Sequence, residues 1–397
     1  MRTIKKILLF RQENICNDLL NTLTDYVAEQ LRCRKIEYDF IDISKEQGEV
    51  LKDMERTISG EFDAALAFNA MGQQDVMING ENIYDHYGIP FYNYIVDHPM
   101  DHFGALQSNC ENYHVICMDR DHVDLIRDYF PNIRSAHFLP LGAVPVKSDK
   151  RLAVREREYD IVFTGGYLPQ RSKDLLEVFE GYPDPQRTIL LKLIERLLEK
   201  DSLDIRGGLK EVLLELYGIQ ETEPDEVLNV MRAVQGANLF MRTYVREQVL
   251  QQLMRTDLSF HIFGNGWKER MATANPGMSF HPGVPFGGTG EIFDHAKIVL
   301  NIMPWFKNGT HDRIASAMLH GAVALTDHSR YLDELPDDIM FCYEIMKPEQ
   351  LEAQIREMLN NEKELQSVAD RGFRYAKTHM TWEQNVSKLM EIMGENL

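Results

Sequence analysis

LSFHIFGNGW (Leu258–Trp267), VPFGGTGEIFDHAKIVLNIMP (Val284–Pro304) and NGTHDRIASAMLHGAVALTDH (Asn308–His328) follow one another in the C-terminal half and read as a single kind of architecture. The first is a strand that runs into the glycine turn Gly264-Asn265-Gly266. The second is a glycine-rich loop, a helix carried through Ile292, Phe293 and Ala296 to Lys297, and a buried strand. The third repeats the unit with a polar loop, a helix over Ile314–His320 and another strand. Loops that feed helix N-termini in consecutive units present clustered backbone N–H groups and positive dipole ends, an arrangement suited to a diphosphate.

The same alternation extends toward the N-terminus. Ile4–Phe10, Tyr38–Ile43, Phe62–Phe68, Pro90–Val96 and His114–Met118 are short apolar strands, and Leu19–Arg34, Val50–Ser59 and Asp121–Tyr129 have helical spacing between them. Strands alternating with helices signal a doubly wound parallel sheet. A charged linker, AVPVKSDKRLAVREREYD (Ala143–Asp160), precedes a restart at DIVFTGG (Asp160–Gly166) and a helix over Lys173–Phe179. Between about residues 187 and 252 no strand signal appears, so this stretch reads as packed helices inserted in the second domain. Helices over Pro348–Leu359, Glu362–Thr378 and Trp382–Met393 close the chain. The expectation is two Rossmann-like domains, 1–150 and 151–380, facing across a cleft, with 381–397 as a final helix.

Composition narrows the function. The 397 residues exceed one ordinary core, and 44% hydrophobic with 26% charged residues is a globular balance. A net charge of −19 argues against general nucleic-acid binding, which needs a dense cationic surface. Five cysteines (Cys16, Cys33, Cys110, Cys117, Cys342) without CxxC pairs fit reduced thiols and a cytoplasmic setting. The opening MRTIKKILLF is too short for a signal core, and no segment approaches the roughly 18–20 apolar residues of a membrane helix.

Several loops carry candidate chemistry. Gly165 and Gly166 at a strand exit let backbone approach a phosphate, and Arg171 beyond them can neutralise it; a plain turn with a surface arginine reads equally from the residues. Gly264 and Gly266 form a similar turn, and Lys297 is either a phosphate contact or a solvated helix residue. In Asn308-Gly309-Thr310-His311-Asp312-Arg313, Thr310 or Asp312 can cap the following helix, and Arg313 in its first turn is unfavourable unless an anion lies beside it. At the end of an N-terminal strand, Asp97 and His98 are candidate general bases. With Asp101 and His102 they also read as a metal-dependent hydrolase site, or simply as loop caps, and Pro99 argues against an HxxxH helix.

Taken together, IVFTGGYLPQRSKDLLEVF, LSFHIFGNGW, HPGVPFGGTGEIFDHAKIVLNIMP and HDRIASAMLHGAVALTD resemble the CgeB-like bacterial glycosyltransferases of the GT-B superfamily, across about residues 158–345. The resemblance implies transfer of a sugar from a nucleotide-diphosphate donor, UDP-linked by expectation, held in the C-terminal domain without a metal or other cofactor. It implies an acceptor (protein, glycan or small molecule) on the N-terminal side and a last helix that crosses back to the first domain. It places Gly165, Gly166 and Arg171 at an interdomain loop, Gly264 and Gly266 at the donor turn and Val284 to Gly288 near the base. Asn308, Gly309, Thr310 and Arg313 then fall at the diphosphate and sugar, with Lys297 among the donor contacts. Ser316 stands where related enzymes carry a glutamate, a departure that bears on ribose and sugar contacts. A non-catalytic sugar-nucleotide-binding subunit of a glycosylation complex is the alternative reading.

Overall fold

The computed structural model describes residues 4–12, 18–58, 60–70, 75–148, 150–167, 170–220, 223–270 and 277–395, so Cys16 lies outside the described residues. The chain divides into two compact units: residues 1–142 with 285–287 and 381–397, and residues 143–284 with 288–380.

In the first unit, β1 (Lys6–Arg11), β2 (Glu37–Asp42), β3 (Ala64–Phe68), β6 (Phe91–Ile95), β7 (Tyr113–Cys117) and β8 (Ser135–Phe138) form a parallel sheet in the order β2-β1-β3-β6-β7-β8. A small hairpin, β4 (Met77–Ile78) and β5 (Glu81–Asn82), stands apart. Helices α1 (Leu19–Cys33), α2 (Gln47–Ile58), α3 (Ile83–Tyr87), α4 (Phe103–Leu106) and α5 (Arg120–Tyr129) make the connections. β3, β6 and β7 are buried at every position, which explains their mostly apolar sequences, broken only by the buried Asn93 and His114.

In the second unit, β9 (Tyr159–Thr164) is followed by five helices: α6 (Ser172–Glu180), α7 (Gln186–Glu199), α8 (Ile205–Tyr217), α9 (Pro224–Ala233) and α10 (Gly236–Met254). The chain then gives β10 (Phe260–Phe263), α11 (Trp267–Arg270), β11 (Met278–His281), α12 (Thr289–Asp294), β12 (Ala296–Leu300), α13 (Asp312–Leu319), β13 (Val323–Asp327), β14 (Phe341–Tyr343), α14 (Pro348–Asn360) and α15 (Glu362–His379). The sheet order is β11-β10-β9-β12-β13-β14, all parallel. Because β9 and β10 are neighbours, the helical insertion is an enlarged crossover between them. The winding direction reverses between β9 and β12, and ligands of such sheets gather outside the strand carboxyl ends at that switch point.

α16 (Trp382–Glu395) belongs to the first unit, where it packs on α1. Tyr26 and Trp382 rings lie 5.4 Å apart, and Asn385 donates to Pro140 O at 2.6 Å and to Tyr94 Oη at 3.2 Å.

One expectation is corrected. Lys297 is not on a helix: α12 ends at Asp294 and Lys297 is the second residue of β12. Its Nζ sits 2.6 Å from Oδ1 of Asp160, the second residue of β9, so both are at the amino edge of the sheet. The β-branched pair Ile298–Val299, buried between β9 and β13, draws this segment into the sheet.

Candidate functional site

At the carboxyl edge of the second sheet, the loops after β9 and β10 are built against each other. Gly165 N donates to Phe263 O and Tyr167 N to Asn265 O, both at 2.9 Å, and Trp267 Nε1 donates to Gly165 O at 2.7 Å. A Cβ on Gly264 would fall 2.1 Å from Gly165 O, so that glycine is required by the neighbouring backbone itself. Gly266 has φ +85, a left-handed conformation that favours glycine. Gly166 adjoins this contact, 3.7 Å from Asn265 O by the same construction. Gly290, the second residue of α12, makes room for His320, whose ring a Cβ would meet at 2.5 Å. Val284 and Gly288 belong to this unit, whereas Pro285–Gly287 belong to the first.

Arg313, in the first turn of α13, is buried and reaches back across the switch point. Its Nε donates to Thr164 Oγ1 at 3.0 Å, Nη2 to Thr164 O at 2.6 Å and Nη1 to Asn301 Oδ1 at 2.6 Å. Every one of these acceptors is neutral, so the guanidinium ties the ends of β9 and β12 together, while the nearby carboxyls of Asp312 and Asp327 act on its charge through space rather than by a hydrogen bond. Burial, the largest influence, holds its pKa below the usual range. The helix cap is neither Thr310 nor Asp312 but His311, whose Nδ1 accepts from Arg313 N at 3.2 Å. Burial lowers the His311 pKa, which keeps the ring neutral and Nδ1 free to accept. Thr310 is buried with Oγ1 3.4 Å from His311 O, Gly309 O accepts from Ser329 Oγ at 2.6 Å, and Asn308 is half-buried beside them. Ser316 is fully buried in α13 and its hydroxyl accepts from Val144 N at 2.9 Å.

The helical crossover contributes residues that the sequence reading passed over. Arg242 and Arg246, one turn apart on α10, lie over the Trp305 ring at 4.6 and 5.3 Å from its centroid. Arg246 is 9% exposed, and its Nε has no hydrogen-bond partner among the described residues. Burial, then the like charges of Arg242 and Arg313, push its pKa down to about 9, so it remains a cation at neutral pH. Asp327, at the end of β13, accepts from Met303 N at 2.8 Å, and burial pushes its pKa up to about 7. The second sheet edge therefore gathers three arginines, with a carboxyl nearby that is half-protonated near neutrality. Arg171, the N-cap residue of α6, is half-buried and makes no side-chain cap bond.

In the first unit, Asp97 and His98 follow β6, as the sequence suggests. Asn69, held at φ 55 after β3, donates to Asp97 Oδ2 at 3.0 Å and accepts from Val96 N at 3.0 Å. His102 Nε2 lies 3.7 Å from the same Asp97 oxygen. His98 is 4% exposed; its Nδ1 accepts from Met100 N at 3.2 Å to cap the turn Pro99–His102, and its ring meets His122 edge-on. Among the described residues no three His, Cys, Asp or Glu side chains converge as metal ligands would, and no helix is long and apolar enough to cross a membrane.

The family described as Glycosyl transferase-like matches residues 242–391, a span that opens at Arg242 and includes Arg246, Trp305, Arg313 and Asp327. The structure of Anabaena HepE in complex with UDP-glucose is similar, with TM-score 0.54 and 9% identity over 98% of this chain and 99% of that one. Sucrose-phosphate synthase from Thermosynechococcus elongatus is similar with TM-score 0.50 and 10% identity over 98% of each chain. The sequences of curated proteins give no match. These likenesses show the fold: two parallel six-stranded sheets flanked by helices, the α/β architecture of GT-B glycosyltransferase structures.

Proposed function

We propose that the protein is a glycosyltransferase that takes its sugar from a nucleoside-diphosphate donor, UDP-linked, and holds the diphosphate at the carboxyl edge of the second sheet. The observation that carries this reading is Arg246: a cation nine-tenths buried, with its Nε unsatisfied, crowded by two further arginines. Burying like charges together is costly in the absence of an anion. A diphosphate beside them would satisfy the open N–H groups and relieve the repulsion. The amino end of α13 and the Gly165–Gly166 loop border the same edge.

In this reading Arg246 and Arg242 bind the donor directly, with Arg171 and the Asn308–Thr310 loop as further donor contacts. Arg313 acts through its charge and by fixing the strand ends. As the sugar leaves, negative charge accumulates on the diphosphate, and pre-set cations stabilise it without a metal. Lys297 is not part of the set, being paired to Asp160 at the opposite edge. Of the two candidate bases for the acceptor, Asp97 is the one we assign. Its side chain is 37% exposed, whereas His98 is buried and spends Nδ1 on a cap. Such a base contributes about 10²–10⁴ in rate.

The family match over 242–391 and the UDP-glucose named for the Anabaena structure support this choice of chemistry. The test is calorimetry with UDP-glucose followed by assay of UDP release. Binding with release on offering acceptors supports the proposal. Binding with no release on any acceptor would instead make the protein a donor-binding subunit, and absence of binding by UDP-glucose, UDP and GDP alike would overturn it.

A further inference from the structure

Glu247 follows Arg246 on α10 and is buried, yet no arginine or lysine pairs with it among the described residues. Its carboxylate is instead surrounded by donors from the stretch after β9. Tyr167 Oη donates to Oε1 and Ser172 Oγ to Oε2. Ser172 N lies 3.3 and 3.4 Å from the two oxygens. Ser172 is the first residue of α6, and the side chain at its N-cap position, the guanidinium of Arg171, has no acceptor to offer the helix start. The acceptor that a helix start requires is thus supplied from another helix, and a carboxylate at that end also complements the helix dipole.

We infer that Glu247 is a positioning residue for donor binding: it ties Tyr167, just beyond the Gly165–Gly166 turn, and Ser172, at the start of α6, to α10, so that these residues and Arg246 are held in one geometry. The inference rests on the donor reading above. Two adjacent residues on α10 divide the work. Arg246 offers charge to a ligand, while Glu247 fixes the loop that borders the same edge through Tyr167 and Ser172. The five-helix crossover thereby becomes part of the binding device. A carboxylate meets several donors at once; an amide meets fewer, and an alanine leaves the donors of Tyr167 and Ser172 without it.

The experiment compares the wild type with Glu247→Gln and Glu247→Ala in the full chain, by hydrogen exchange and by UDP titration. Glu247→Ala is expected to speed exchange in the segment from Gly165 to Leu175 while leaving β12 and β13 protected, and to weaken UDP by about tenfold or more. Glu247→Gln, which keeps one acceptor, should recover most of both. Unchanged exchange in the segment, or faster exchange throughout the second unit, would overturn the inference. So would wild-type affinity for UDP in Glu247→Ala, with the donor reading left standing. If the wild type itself binds neither UDP, GDP nor pyrophosphate, the donor reading fails and the positioning role falls with it.

Discussion

The loop after β6 and the edge around Arg246 use similar residues, yet they answer their charges in different ways. In the first unit His98 is consumed by a cap, and Asp97, though held by Asn69, keeps its side chain 37% exposed. In the second, Arg313 spends its N–H groups on neutral oxygens, and Arg246 keeps Nε without a hydrogen-bond partner among the described residues. A satisfied polar group reports on architecture. A buried surplus of one sign points to a site for an anion.

The comparison can be broken most severely at Gly264. Gly264→Ala forces a Cβ onto Gly165 O and should cost about 3 kcal/mol or more, read by chemical denaturation, with donor binding lost as the loop shifts. A stability change under about 1 kcal/mol would show that the two loops are not locked together.

Arg313→Ala should cost about 3 kcal/mol as well as donor affinity, because Thr164 and Asn301 lose a buried charged partner. Thermal and denaturant unfolding measured beside Arg246→Met would separate a strut from a ligand contact.

The next effect is on pH. Asp327, with its pKa pushed up to about 7, is neutral below that pH and anionic above it. Its negative charge then competes with a donor diphosphate, whose own charge in UDP-glucose stays constant over this range. UDP-glucose affinity should therefore fall as pH rises through about 7, and Asp327→Asn should flatten the profile. The folded state also keeps this proton from about pH 4 to 7 while the unfolded chain has released it, so this group's share of the stability declines as pH rises across that window.

The smallest effect tests the discarded candidate. Lys297→Ala breaks a partly exposed ion pair at the amino edge, with side chains 25% and 32% exposed. It should change stability by less than about 1 kcal/mol and leave UDP-glucose binding untouched. A lost donor affinity in that variant would return Lys297 to the site.

How much of this was legible in the sequence follows from burial. The central strands declare themselves because both faces are covered, as in AALAF, YHVIC and VALTD. The edge strands β8, β11 and β14 carry histidine, serine or cysteine and only three or four residues, too little pattern to be seen. Glycines at strand exits and Arg313 at a helix start were visible because those positions have recognisable local rules. Arg242, Arg246 and Glu247 were not, since charges on a helix ordinarily read as a solvated face. The signal that would have found them is the helix itself. With Phe240, Met241, Val245, Val249, Leu250 and Leu253 all buried, the solvated strip of α10 is narrow, around Gln248 and Gln251, and Arg246 lies outside it.

The most direct measurement is a UDP titration of Arg246→Met against the wild type, with the melting temperature of each recorded. Methionine keeps the apolar stem over Trp305 and removes the charge. The melting temperature of Arg246→Met is expected near or above that of the wild type, because the repulsion from Arg242 and Arg313 is relieved, together with an affinity for UDP lowered by about 10–100-fold. Wild-type affinity in Arg246→Met would contradict this expectation.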